Sequence, residues 1–120
     1  MGTVAVDFDK VVHAYRRGWH DGTIYDELVP GAVEGLDALM MQHSVFIFTS
    51  REPEPVSEWL ANAGFATTTE VPARGFWDKR GRLLVTNRKL PALVYLDDRA
   101  VRFVTWEQAL TDLRELRVLS

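Results

Sequence analysis

Three short runs of uninterrupted apolar residues constrain this chain more than any other feature: Val4-Ala5-Val6, Val45-Phe46-Ile47-Phe48 and Leu93-Val94-Tyr95-Leu96. None alternates with polar residues, so each predicts a strand buried on both faces, as parallel sheets require. Each run also stops in polar residues. Asp7 and Asp9 follow the first, Thr49-Ser50-Arg51 the second, and Asp97-Asp98-Arg99 the third. Parallel strands deliver such ends to one edge of the sheet, where open α/β folds place their ligands. Asp7 and Asp9 are close enough to repel, and a cation between them is the usual remedy. A polar turn closing a strand gives the same pair, because Asp is common in turns. The repetition downstream turns the reading towards a site.

The segments between these runs have helical spacing. Val29-Pro30-Gly31 opens a helix with Val33, Leu36, Leu39 and Met40 on one face, broken at Gln42-His43-Ser44. Pro53 and Pro55 open a second, with Val56, Trp59, Leu60 and Ala63 inward and Gly64 as its C-cap. Trp59 and Trp106 are expected to be packing residues. Phe65 to Val71 predicts an edge or short strand. Thr105 and Gln108 form a capping box for a third helix, carrying Ala109, Leu110, Leu113 and Leu116, and Val118-Leu119 reads as a last short strand. This alternation predicts an α/β fold, a Rossmann-like three-layer sandwich with a parallel sheet and helices on both faces.

Residues 1–120 read as a single domain without repeats or linkers. Two stretches interrupt the pattern. Residues 11–25 predict a flap over the mouth of the sheet, with Val11-Val12 and Thr23-Ile24-Tyr25 as its arms and Tyr15-Arg16-Arg17-Gly18-Trp19-His20 towards its tip. Residues 72–85 predict a hairpin-like insert with Phe76-Trp77-Asp78-Lys79-Arg80-Gly81-Arg82 as its tip. Neither is long enough for an independent cap domain.

Composition narrows the function classes. A net charge of −3 and a pI near 5.6 give no global basic field for nucleic acid. The absence of cysteine excludes disulfides, thiolate metal sites and a cysteine nucleophile. No apolar run approaches the ~20 residues of a membrane helix, and none has the form of a signal peptide. The expectation is a cytoplasmic enzyme or binding domain, with no membrane partner.

Gathered at one sheet edge, Asp7, Asp9, Asp97, Asp98, Thr49 and Lys89 supply carboxylates, a hydroxyl and an ammonium. That set suits a hard divalent cation and an anion, and magnesium fits best: oxygen ligands completed by water and substrate phosphate. Unpaired buried carboxylates are too costly to serve stability.

The same residues resemble the four motifs of the haloacid dehalogenase (HAD) superfamily, in order and across essentially the whole chain. Val4 to Val11 is similar to the first motif, an apolar strand then Asp-x-Asp-x-(Thr/Val), and Val45 to Thr49 to the second. Lys89 stands where the third has its lysine, and Leu93 to Asp98 is similar to the fourth. Phe48-Thr49-Ser50-Arg51 and Tyr95-Leu96-Asp97-Asp98-Arg99 look like the small, nearly capless phosphatases of that group. The resemblance implies a HAD-like fold with a minimal cap and magnesium-dependent phosphomonoester hydrolysis through an aspartyl-phosphate. It implies Asp7 as nucleophile, Asp9 as general acid and base, Thr49 as a phosphoryl hydrogen-bond donor and Lys89 as the residue steadying Asp7. It implies a metal held by Asp7, Asp9, Asp97 and Asp98.

Lys10 departs from the pattern, since the position after Asp9 is usually glycine there. Lysine narrows the site, adds a cation for substrate, or signals lost turnover. Ser50, Arg51, Lys10, Arg16 and Trp19 are the candidate substrate-binding residues. The expected partner is a phosphorylated substrate (a small molecule, a nucleotide or a nucleic-acid end), with a homo-oligomer possible. The alternatives are a catalytically weakened phosphate- or nucleotide-binding module, and a phosphotransferase.

Overall fold

The computed structural model describes residues 2–120. The elements run β1 (Thr3–Asp7), α1 (Ala32–Gln42), β2 (Ser44–Phe48), α2 (Pro53–Asn62), β3 (Thr67–Thr68), β4 (Leu83–Thr86), β5 (Val94–Leu96) and α3 (Trp106–Glu115). The strands form one all-parallel sheet in the order β3-β4-β2-β1-β5. The architecture is α/β with three helices, consistent with a Rossmann-like sandwich.

Side-chain alternation along the strands builds two cores. Val4, Val6, Val45, Ile47, Leu83 and Val85 bury one face against Leu36 of α1 and Val56 and Leu60 of α2. Ala5, Phe46 and Leu84 bury the other against Trp77 and Leu90, which come from loops. Helices α1 and α2 therefore share one face, contrary to the expectation of helices on both. The reason is handedness: β1-α1-β2 and β2-α2-β3 step across the sheet in the same direction, and right-handed crossovers then fall on the same side. The return from β4 to β5 has only the short segment 87–93, which crosses the opposite face without forming a helix.

The expected hairpin-like insert at 72–85 is not a hairpin. Residues 83–85 belong to β4, a strand whose four residues are all buried and which pairs in parallel with β2 and β3. Trp77, expected at a solvent tip, is 1 % exposed. Its carbonyl accepts from the Thr3 hydroxyl at 2.6 Å, which ties this loop to β1.

Thr105 caps α3 as the sequence indicates, its hydroxyl accepting from the Gln108 amide at 3.1 Å. The Gln108 side chain reaches forward to Asp112 rather than back to the cap. Helix α3 contributes to neither core cluster. Val94 and Leu96 on edge strand β5 stay about half exposed, and Trp106 is 70 % exposed rather than packed. Val118 and Leu119 form no strand. No helix of the described residues is long and apolar enough to cross a membrane.

Candidate functional site

The parallel register places the strand ends side by side. Asp7 pairs with Phe48 at the last position of β2, and Val6 with Leu96 at the end of β5, so Asp97 and Asp98 leave the sheet beside Asp7. A cleft of about 180 Å³ opens there, lined by Asp7, Asp9, Lys10, Tyr15, Thr49, Ser50, Asp97, Asp98 and Arg99. One carboxylate oxygen from each of Asp7, Asp97 and Asp98 lies within 4.8 Å of the other two. Asp7 is partly buried, and its Oδ1 accepts from the Phe8 amide at 2.9 Å. Burial raises its pKa from the ordinary 3.8 to about 6; the Phe8 hydrogen bond opposes the rise, and Asp97, Asp98 and Asp9 add to it.

Thr49 is 2 % exposed at the end of β2. Its amide donates to the Thr86 carbonyl at 3.0 Å, and its Oγ1 accepts from the Arg51 amide at 3.1 Å. The hydroxyl is thus fixed at the floor of the cleft, with Ser50 exposed beside it.

Asp9 lines the cleft but stands outside the close carboxylate trio. Its Oδ1 is 2.8 Å from His13 Nδ1, and its Oδ2 accepts from Arg51 Nε at 2.9 Å. His13 is fully buried. Its Nε2 accepts from the Asp26 amide at 3.0 Å, so that nitrogen carries the lone pair and Nδ1–H is the donor to Asp9. The ring stacks on Phe8 at 5.4 Å and meets Trp59, Tyr15 and Tyr25 edge-on. His13 belongs to the flap stretch 11–25, yet its ring faces neither solvent nor the cleft. It is instead the buried post that holds Asp9, and its spacing of four from that residue was the available signal.

Arg51, expected on substrate, is turned inward with its side chain 5 % exposed. It joins Asp9 to the flap, donating from Nη1 to the Gly22 carbonyl at 2.8 Å and lying 4.7 Å from the Trp19 ring centre. Arg16 is also absent from the cleft lining. It is exposed and engaged by Asp26 and Glu27, and hydrogen bonding from Arg16 holds the Asp26 carboxyl well below the usual carboxylate range. Trp19 lies away from the acidic cleft, on a second cavity against α2. The flap arms differ from expectation as well: Ala14 and Val12 pair with Glu27 and Val29, not with residues 23–25.

The two lysines divide unexpectedly. Lys89 is exposed, lies 5.4 Å from the Tyr95 ring centre, and does not line the cleft. Lys10 does line it, and takes the left-handed backbone that glycine usually supplies, with φ 75. Its amide donates to the His13 carbonyl at 2.8 Å, closing the tight turn that follows β1. A non-glycine residue held there costs on the order of 1–2 kcal/mol, which the turn's hydrogen bonds offset. Comparison with known proteins found no matching family model, no similar curated protein and no similar solved structure.

Proposed function

We propose that the chain is a magnesium-dependent phosphomonoester hydrolase of the haloacid dehalogenase type, forming an aspartyl-phosphate on Asp7. The observation that carries this reading is the meeting of Asp7, Asp97 and Asp98 oxygens within 4.8 Å, at the strand ends that also carry Thr49. The donor set is all oxygen and anionic, which fits magnesium. Burial, with the neighbouring carboxylates adding to it, lifts Asp7 to about 6, a cost that a cation offsets. Asp7, Asp97 and Asp98 would hold the metal, whose charge lets an anionic carboxylate meet an anionic phosphate.

The remaining work falls to side chains. An Asp7 oxygen attacks phosphorus as the bond to the leaving oxygen breaks, and Asp9 delivers a proton to that oxygen. Asp9 then takes a proton from water as the water oxygen attacks phosphorus, releasing phosphate and restoring Asp7. The Thr49 hydroxyl donates to a phosphoryl oxygen, and Lys10, on the cleft wall, takes the cationic part that the sequence pattern gives to Lys89. A second reading, phosphate binding without turnover, draws support from Asp9, whose two oxygens are both engaged. The test is phosphate release from p-nitrophenyl phosphate with magnesium, with excess chelator, and with Asp7→Asn. Hydrolysis is expected only for the unaltered chain with magnesium. Phosphate binding without release would establish the second reading, and full activity in chelator would remove the metal from the scheme.

A further inference from the structure

A larger cavity, about 500 Å³, lies between the flap and α2 and shares no lining residue with the acidic cleft. Its volume is in the range that small-molecule sites occupy. Trp19, Ile24, Pro55, Val56 and Trp59 give it apolar and aromatic walls, and Glu52, Glu58 and Asn62 add polar groups. Arg51 completes the lining, and its Nη2 is buried without a hydrogen-bond partner among the described residues. A buried guanidinium donor left unpaired is costly, and with Trp19 lying against Arg51 an acceptor reaches it as that ring shifts. The flap is shaped to the same end. Gly22 has φ 84, and a Cβ there would come within 3.0 Å of the Trp19 ring, so glycine lets the indole close over Arg51.

These features specify a ligand. Two indoles favour a flat ring. The Arg51 donor asks for a ring carbonyl. Glu52 and Glu58, which among the described residues pair with no cation, accept from amino or ring N–H groups and repel phosphate. We propose that this cavity binds a nucleobase or nucleoside carrying a carbonyl beside ring and amino N–H donors, as guanine does. The proposal does not rest on the phosphatase reading, since binding here requires no reaction, although Arg51 also holds Asp9.

Calorimetric titration of the full chain with guanosine, cytidine, adenosine and uridine tests it. Guanosine should bind about tenfold or more tightly than adenosine, which lacks the carbonyl, than cytidine, whose carbonyl lies beside an acceptor nitrogen, and than uridine, which lacks the amino group. Trp19→Ala, at a residue 56 % exposed, should weaken guanosine binding about tenfold with the circular dichroism unchanged. The double replacement Glu52→Ala, Glu58→Ala should bring guanosine down to the level of uridine. No heat with any nucleoside up to about millimolar concentration overturns the proposal. Equal binding of all four, or guanosine binding indifferent to Trp19→Ala, overturns it as well.

Discussion

Replacing Asp7 with Asn should stabilise the metal-free protein while removing its proposed chemistry. Asp7 is raised from 3.8 to about 6, first by burial and then by the neighbouring carboxylates. The folded state therefore holds the proton more tightly than the unfolded chain. Between those two values the folded protein binds more protons, so unfolding free energy falls as pH rises through the window and is level above it. The full linkage between 3.8 and about 6 is about 3 kcal/mol. Asp7 is only partly buried, and solvent screening reduces this to about 1–1.5 kcal/mol. Asparagine has no charge to desolvate, and its Oδ1 can still accept from the Phe8 amide. In chelator above pH 6, Asp7→Asn should melt roughly 5 °C higher than the unaltered chain. Thermal unfolding followed by circular dichroism, from about pH 3.5 to about pH 7.5, isolates the Asp7 contribution as the difference between the two proteins. That difference should grow between about pH 4 and 6 and then flatten. Magnesium should raise the melting temperature of the unaltered chain more than that of the variant. A difference independent of pH, or a variant less stable at every pH, would refute the electrostatic account of the site.

Other outcomes follow from the same geometry. Magnesium should support phosphate release and calcium should inhibit it, because calcium takes more ligands at longer distances; a colorimetric assay with each ion decides. Lys10→Ala should lower kcat/KM for p-nitrophenyl phosphate about tenfold or more, whereas Lys89→Ala, outside the cleft, should change it by less than about twofold; the reverse order would restore Lys89 to the site. His13→Ala should destabilise by about 3–5 kcal/mol in urea unfolding, since it empties a buried ring site and strips partners from Asp9 and the Asp26 amide; a loss under about 1 kcal/mol would refute its role as a post.

How far the sequence could carry this reading depends on where the information lies. Strands β1 and β2 were legible because continuous apolar runs report burial on both faces without reference to the rest of the chain. The acidic cluster was legible for a related reason: parallel strands put their ends on one edge whatever the side chains between them do. Strand β4 was hidden, since Leu83-Leu84-Val85 is short and follows a polar, glycine-punctuated stretch that reads as a hairpin. Trp77 was hidden by its charged neighbours, and only the short return crossover explains why an indole is needed on that face. The direction of a long cation is less visible still. Arg51 reaches Asp9 across a separation of 42 residues, while Arg16 finds Asp26 and Glu27 only 10 and 11 residues along the chain. No periodicity encodes that choice.

The position of Asp9 links fold to chemistry most closely. Both its oxygens accept hydrogen bonds, one from His13 and one from Arg51. Each oxygen keeps a second lone pair beside the one that accepts, and that is where a proton can pass to or from substrate. His13 cannot reverse its part, because its Nε2 is committed to the Asp26 amide inside a fully buried ring site. Arg51 is the partner able to yield. Its other contacts are the Gly22 carbonyl and the Trp19 ring, both on the flap, so movement of the flap away from α2 can draw the guanidinium off Asp9. The arrangement described here is then the acceptor form of Asp9, suited to taking a proton from water in the second half of the proposed reaction. In this scheme the flap bears on Asp9 through one arginine.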